Sequence, residues 1–169
     1  LGMATSIRVG FNVGANDFSA ARRSGWVAIG ASFGFALMAV TALLTLGPWV
    51  VGLYSTEPEV VAVATGLLLI VAVYQIFDDV QVIAMGALRG YKDTTVPFLI
   101  AVVCYWLISL PVALVFGYGV FDGLQLGVSG YWIGLACGLI CAALILVTRF
   151  NRVSKQYAQA AKGEQVPVV

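Results

Sequence analysis

The 169-residue chain contains no histidine, and only 10% of its residues are charged. The missing imidazole removes a member from His-based acid/base sites, from Ser/His/Asp and Cys/His nucleophilic arrangements, and from the commoner zinc ligand sets. Nine Lys+Arg stand against eight Asp+Glu, so no basic stripe is available to neutralise phosphates and a nucleic-acid role lacks the charge it needs. Cysteine is scarce: Cys104, Cys137 and Cys141 lie in apolar runs without metal-ligand spacing and read as small buried hydrophobes. What the chain has instead is apolar mass, 61% hydrophobic residues against roughly 45–50% in a soluble domain. Disordered tails and disulfide scaffolds need polar or cysteine-rich composition. The class that remains is integral membrane protein.

A spanning helix needs roughly 20 mostly apolar residues, and four runs reach that length. The expected spans are 24–53, 56–88, 94–117 and 127–148. Before them, 1–16 reads as the end of another membrane helix and 17–23 as a cytoplasmic loop; after them, 149–169 reads as a cytoplasmic tail. Pro48 disturbs the last turns of the first span, and Pro111 kinks the third. Thr56 and Glu59 have the spacing of a capping box for the second, and Asp93 is the expected N-cap of the third. At about 30 residues, the second span outruns the hydrocarbon layer and must tilt, bend or protrude. The opening Leu1-Gly2-Met3-Ala4 has no basic n-region or cleavage site, so the chain is expected to be a piece of a longer protein.

The bases fall on one side of these spans. Arg8, Arg22 and Arg23 precede the first, Arg89 and Lys92 separate the second from the third, and Arg149, Arg152, Lys155 and Lys162 follow the fourth. The intervening loops 54–59 and 117–126 hold Glu57, Glu59 and Asp122 and no base. The positive-inside rule then places the basic connections and the C-terminus in the cytoplasm and the acidic loops outside.

An acid inside a span costs on the order of 2.5–3.5 kcal/mol to insert, which marks it as functional by default. Asp78 and Asp79 interrupt the second span within Tyr74-Gln75-Ile76-Phe77-Asp78-Asp79-Val80-Gln81. Tyr74, Asp78 and Gln81 recur at i, i+4 and i+7 on one face, and Gln75 and Asp79 form a second i, i+4 pair. A carboxylate with a phenol and amides one turn away can hold a hard cation such as Na+ through oxygen, or exchange a proton. Asp78 is the primary candidate, with Asp79, Gln75 and Gln81 secondary. The structural alternative is that the acids bond a neighbouring helix or are neutralised by Arg89 and Lys92. Counted from Thr56, Asp78 lies roughly 33 Å along the axis, near the inner interface of a straight, upright helix. Tyr105 and Trp106 are deep enough to line a cavity, whereas Trp49, Tyr54, Tyr118, Tyr131 and Trp132 suit interfacial belts. The pairs Gly30/Gly34, Gly86/Gly90, Gly130/Gly134 and Gly134/Gly138 read as helix packing.

Several blocks in order carry a family resemblance: Arg8-Val9-Gly10 with Asn12-Val13-Gly14, Ala21-Arg22-Arg23, Tyr74-Gln75-Ile76-Phe77-Asp78, Gly86-Ala87-Leu88-Arg89-Gly90-Tyr91-Lys92-Asp93-Thr94, Tyr105-Trp106 with Leu110-Pro111, and Gly130-Tyr131-Trp132-Ile133-Gly134. Together they resemble the NorM branch of the multidrug and toxic compound extrusion (MATE) transporters, from residue 1 to about 152. The resemblance implies an all-α integral membrane fold. The chain would be the end of one helix and the last four helices of a twelve-helix, two-lobed transporter with cytoplasmic termini. It implies that Asp78 belongs to the cation site of the C-terminal half, with Tyr74 beside it, on a bent helix. A further carboxylate of that site comes from a helix absent here, and Asp79 is outside the pattern. The Gly86–Thr94 block fits an inner loop in which Gly90 ends one helix and Asp93 caps the next.

The function this implies is a secondary active antiporter that expels organic, often cationic, compounds in exchange for Na+ or H+ by alternating access. It needs no cofactor and performs no catalysis. Expected partners are small organic or cationic drugs, the coupling ion, the lipid bilayer, and the N-terminal part of the same transporter, in a multi-pass arrangement in the cytoplasmic (inner) membrane. Two other readings stand beside it. A lipid-linked precursor flippase of the same superfamily calls for a cationic cavity, and the bases here lie in loops. A non-transporting membrane anchor or assembly subunit calls for intramembrane acids paired with a partner's bases.

Overall fold

A computed structural model describes residues 1–119 and 126–161. All regular structure among them is helical: α1 (Gly2–Gly14), α2 (Phe18–Tyr54), α3 (Pro58–Gly90), α4 (Thr95–Val103), a π-helical turn (Cys104–Ser109), α5 (Leu110–Tyr118) and α6 (Val128–Ala160). Among the described residues, four helical stretches are long and apolar enough to cross a membrane: α2, α3, the continuous run Thr95–Tyr118, and α6. Asp122, most of the loop 117–126, and the tail from Lys162 lie outside the described residues.

Helix ends follow capping chemistry, and this moves several expected boundaries. α2 begins at Phe18, so Arg22 and Arg23 belong to its first turns and not to a loop over 17–23. The Asp17 carboxylate accepts the Ala20 N–H and the Ser19 hydroxyl, both at 2.9 Å, which makes it the N-cap. The bond from the Ala20 backbone, then that from Ser19, holds the Asp17 carboxyl below its usual range. α3 begins at Pro58, because a proline at the first helical position has its φ preset and no N–H to satisfy. Glu57 therefore occupies the N-cap position expected for Thr56, with its carbonyl accepting the Val61 N–H at 3.0 Å and its own N–H bonded to Ser55 Oγ at 3.2 Å. α6 continues past 148 to Ala160, since Phe150 and Val153 keep its buried face apolar. Near Pro111 the third span forms the π turn. Proline has no N–H to give the Leu107 carbonyl and its ring crowds that oxygen, and the wider turn just before it accommodates both effects.

One reversal occurs twice. Gly10-Phe11-Asn12-Val13-Gly14-Ala15-Asn16-Asp17 and Gly86-Ala87-Leu88-Arg89-Gly90-Tyr91-Lys92-Asp93 share the pattern Gly-x-x-x-Gly-x-x-Asp. In the first, Asp17 N–H donates to Asn12 C=O at 2.9 Å and Asn16 N–H to Val13 C=O at 3.1 Å. In the second, Asp93 N–H donates to Leu88 C=O and Lys92 N–H to Arg89 C=O, both at 3.0 Å. These are the paired bonds of a Schellman cap, with Asn16 (φ 59°) and Lys92 (φ 62°) in the left-handed conformation. Gly90 does close α3, but Lys92 takes the left-handed position. Asp93, expected as an N-cap, instead accepts Arg149 Nε at 2.6 Å.

The chain divides into two compact units. The first comprises Leu1–Phe33, Asp79–Ala101 and Ala142–Val169. Its core gathers Val9, Ala21, Ile83, Leu88, Leu146 and Phe150. The Phe150 ring meets Trp26 edge-on at 5.6 Å and Tyr91 at 6.2 Å, and Tyr157 lies 5.2 Å from Tyr91 and 5.6 Å from Phe18. Polar ties join the same helices, Asn12 Nδ2 to Ser24 Oγ at 3.2 Å and Arg22 to Asn151 Oδ1 at 2.9 Å. Burial pushes the Tyr91 phenol up to about 12, and its hydroxyl has no hydrogen-bond partner among the described residues.

The second unit comprises Gly34–Asp78 and Val102–Cys141. Its packing runs along the small-residue stripe of α6: a Cβ on Gly130, Gly134 or Gly138 would collide with the Phe116 carbonyl, the Ala113 backbone or Ser109 respectively. The expected packing role of these glycines therefore holds, as it does for Gly86 and Gly90 in the first unit. At Gly30 and Gly34 no atom of the described residues lies within 4 Å of an added Cβ.

Candidate functional site

The polar residues of α3 divide between the two units at Asp78/Asp79. In the second unit, Tyr74 is half-buried and meets Trp132 of α6 edge-on, with centroids 6.2 Å apart and planes at 84°. Asp78, one turn further along α3, and Tyr105 of the π turn both lie within electrostatic reach of the Tyr74 hydroxyl. A carboxylate, two phenols and an indole thus converge from α3, the π turn and α6. The π turn matters because the extra residue in its coil sets which way Tyr105 faces relative to the α-helical turns on either side.

Gln75, Asp78, Asp79, Gln81 and Tyr105 all have partners. Asp79 and Gln81 belong to the first unit, where Gln81 is buried. Trp106 is 66% exposed and stands outside the cluster, so of the two residues expected to line a cavity only Tyr105 is gathered with Tyr74 and Asp78. Trp132 was expected in an interfacial belt, and the structure makes it the edge partner of Tyr74. The available signal was its place between Gly130 and Gly134, since a helix docked along that stripe carries its neighbours into contact with the rest of the unit.

Among the described residues no three Asp, Glu or Cys side chains gather as a metal site. A cation at Asp78 would meet one carboxylate of this chain and a neutral oxygen such as the Tyr74 hydroxyl.

The described residues thus hold four helices able to cross a membrane and, on one of them, a carboxylate gathered with aromatic rings. The MatE family model matches residues 1–115, and the chain belongs to that family, the MATE transporters. It is 39% identical over 158 residues to multidrug resistance protein MdtK of Yersinia enterocolitica, covering 92% of this chain and 34% of that protein. It is 38% identical over 159 residues to multidrug resistance protein PmpM of Pseudomonas aeruginosa, covering 93% and 33%. The chain thus spans about a third of the length of the curated relatives it matches. Its fold is similar to that of a multidrug resistance MATE family transporter of the MOP superfamily in an inward-facing conformation, with a TM-score of 0.81, 17% identity and coverage of 94% of this chain and 36% of that one. The eukaryotic MATE transporter AtDTX14 is similar at a TM-score of 0.79 and 21% identity, with coverage of 95% and 36%.

Proposed function

We propose that the chain is the C-terminal part of a secondary active multidrug efflux antiporter, exchanging organic, often cationic, compounds for Na+ or H+ by alternating access. The observation that carries this reading is the convergence of Asp78 with Tyr74, Tyr105 and Trp132 in a protein of this family. A carboxylate within a span is costly to bury in its charged form. A coupling ion or proton lowers that cost, and so does a cationic substrate resting on aromatic faces. Competition between the two for one carboxylate couples their fluxes, because each favours the state of the transporter in which it binds better. Asp78 and Tyr74 are the coupling pair, with Asp79, Gln75 and Gln81 as outer polar neighbours along α3. The basic ends of the helices face the cytoplasm of an inner membrane.

The test is Asp78→Asn in the transporter at its natural length, assayed by accumulation of a fluorescent organic cation into everted vesicles whose lumen is loaded with Na+ or acidified. Ion-coupled efflux should be lost while expression and membrane insertion stay normal. Normal efflux with normal ion dependence refutes the proposal.

A further inference from the structure

On the first unit, α4 and α6 enclose a groove of about 390 Å³. Its wall is aliphatic, from Val96 and Ile100 on α4 and Leu144 and Ile145 on α6, and its end is lined by Thr148, Arg149 and Arg152. Ile145, Arg149 and Arg152 recur at i, i+4 and i+7, so apolar and basic parts share one face of α6. From Leu144 to Arg152 that face rises about 12 Å, close to the depth of one leaflet's hydrocarbon. Leu144 and Ile145 are 58% and 45% exposed. Asp93 accepts Arg149 Nε at 2.6 Å and holds that guanidinium beside the start of α4. Arg152 is exposed and has no ion-pair partner among the described residues.

The geometry points to a binding site for a phospholipid with a net negative headgroup, its phosphate against Arg149 and Arg152 and an acyl chain along Val96, Ile100 and Ile145. Guanidinium groups suit phosphate because they offer parallel N–H donors, and basic pockets between membrane helices take anionic headgroups. Asp93 offsets one of the two arginines, which leaves one positive charge in the groove. A zwitterionic headgroup brings its own cation toward Arg152, and an anionic one does not. A soluble phosphate would satisfy the arginines but leave the aliphatic wall unused. The site rests on the reading of these helices as membrane-crossing and is independent of ion coupling at Asp78.

Native mass spectrometry of the protein at its natural length tests it, in detergent with phosphatidylglycerol or with phosphatidylcholine of the same acyl chains. The protein should retain phosphatidylglycerol about fivefold better, the fold-change of one basic residue facing an anionic lipid. Arg152→Gln, at an exposed position, should lose one retained phosphatidylglycerol, and Arg152→Lys should keep it. Ile145→Trp, which fills the aliphatic wall, should weaken retention with the basic end intact. Unchanged phosphatidylglycerol retention in Arg152→Gln overturns the site. Displacement of the lipid by equimolar glycerol phosphate overturns its assignment to lipid and makes it a free-anion site.

Discussion

The two Gly-x-x-x-Gly-x-x-Asp reversals look interchangeable as sequence, yet the helix crossing treats their glycines unequally, and a pair of alanine substitutions measures the difference. A Cβ on Gly10 would have its nearest neighbour, the Gly90 carbonyl oxygen, at 3.6 Å, an ordinary contact. A Cβ on Gly90 would lie 2.7 Å from Val9 Cβ and 2.9 Å from the Gly10 nitrogen, neither of which can rotate away. Alanine gains about 1 kcal/mol over glycine inside a helix, whereas forcing atoms into a filled site costs about 1–3 kcal/mol or somewhat more when backbone must move. Gly10→Ala should therefore be neutral to stabilising by about 1 kcal/mol, and Gly90→Ala should destabilise by about 1–2 kcal/mol. The expected separation of about 1–3 kcal/mol corresponds to several degrees in thermal midpoint for a protein of this size. Intrinsic tryptophan fluorescence during heating in detergent reads it, with Trp26 beside Phe150 as a reporter within the same unit. Equal midpoints for the two variants would falsify the asymmetric crossing of α1 and α3.

Other expectations follow from single side chains. Asp17→Ala should lower the thermal midpoint by removing the α2 cap. Because the folded carboxyl titrates below its ordinary value, its stabilisation is complete above the unfolded value and fades as pH falls through the folded one. Asp17→Asn should keep the cap and flatten that acid limb, as a thermal series between about pH 2 and 6 will show. Tyr91→Phe removes a buried hydroxyl that has no partner among the described residues and should raise stability by about 1 kcal/mol. In the parent protein the neutral phenol's contribution is full below its unfolded value of 10 and is lost as pH rises through about 12, so the variant's alkaline limb should be flatter in the same heating assay. Phe150→Ala, at a fully buried ring, should cost about 3–5 kcal/mol; a loss under 1 kcal/mol in chemical unfolding would show that the aromatic cluster is not the core of its unit.

The spans were legible because an uncharged run of that length would be insoluble outside a bilayer or a very large core, and Tyr74 and Asp78 were legible because i, i+4 spacing needs only one helix. Charge misled at the ends. Arg22 and Arg23 looked like loop residues, while the decisive residue was Asp17, whose carboxylate starts α2 ahead of them. Phe150 and Val153 extend α6 through a polar stretch where the eye stops at Arg149. The contributions of Tyr105 and Trp132 depend on a π turn and on a glycine contact between helices, and neither has a local periodicity to betray it. The four small-residue pairs were equally silent as sequence: Gly134 faces backbone, and Gly30 meets no atom of the described residues.

The doubled Schellman cap bears on how such a chain is made. Each reversal is closed by hydrogen bonds reaching back three to five positions, Asp17 to Asn12 and Asn16 to Val13, Asp93 to Leu88 and Lys92 to Arg89. Contacts so local close with little loop entropy and wait for nothing downstream. As each pair of helices leaves the ribosome, its hinge can set before the next helix is synthesised, so α1 with α2, and later α3 with α4, would enter the bilayer as ready-made hairpins. The interhelix contacts of Phe150 and the α6 glycines, which need residues far apart in sequence, are left for the assembly that follows insertion.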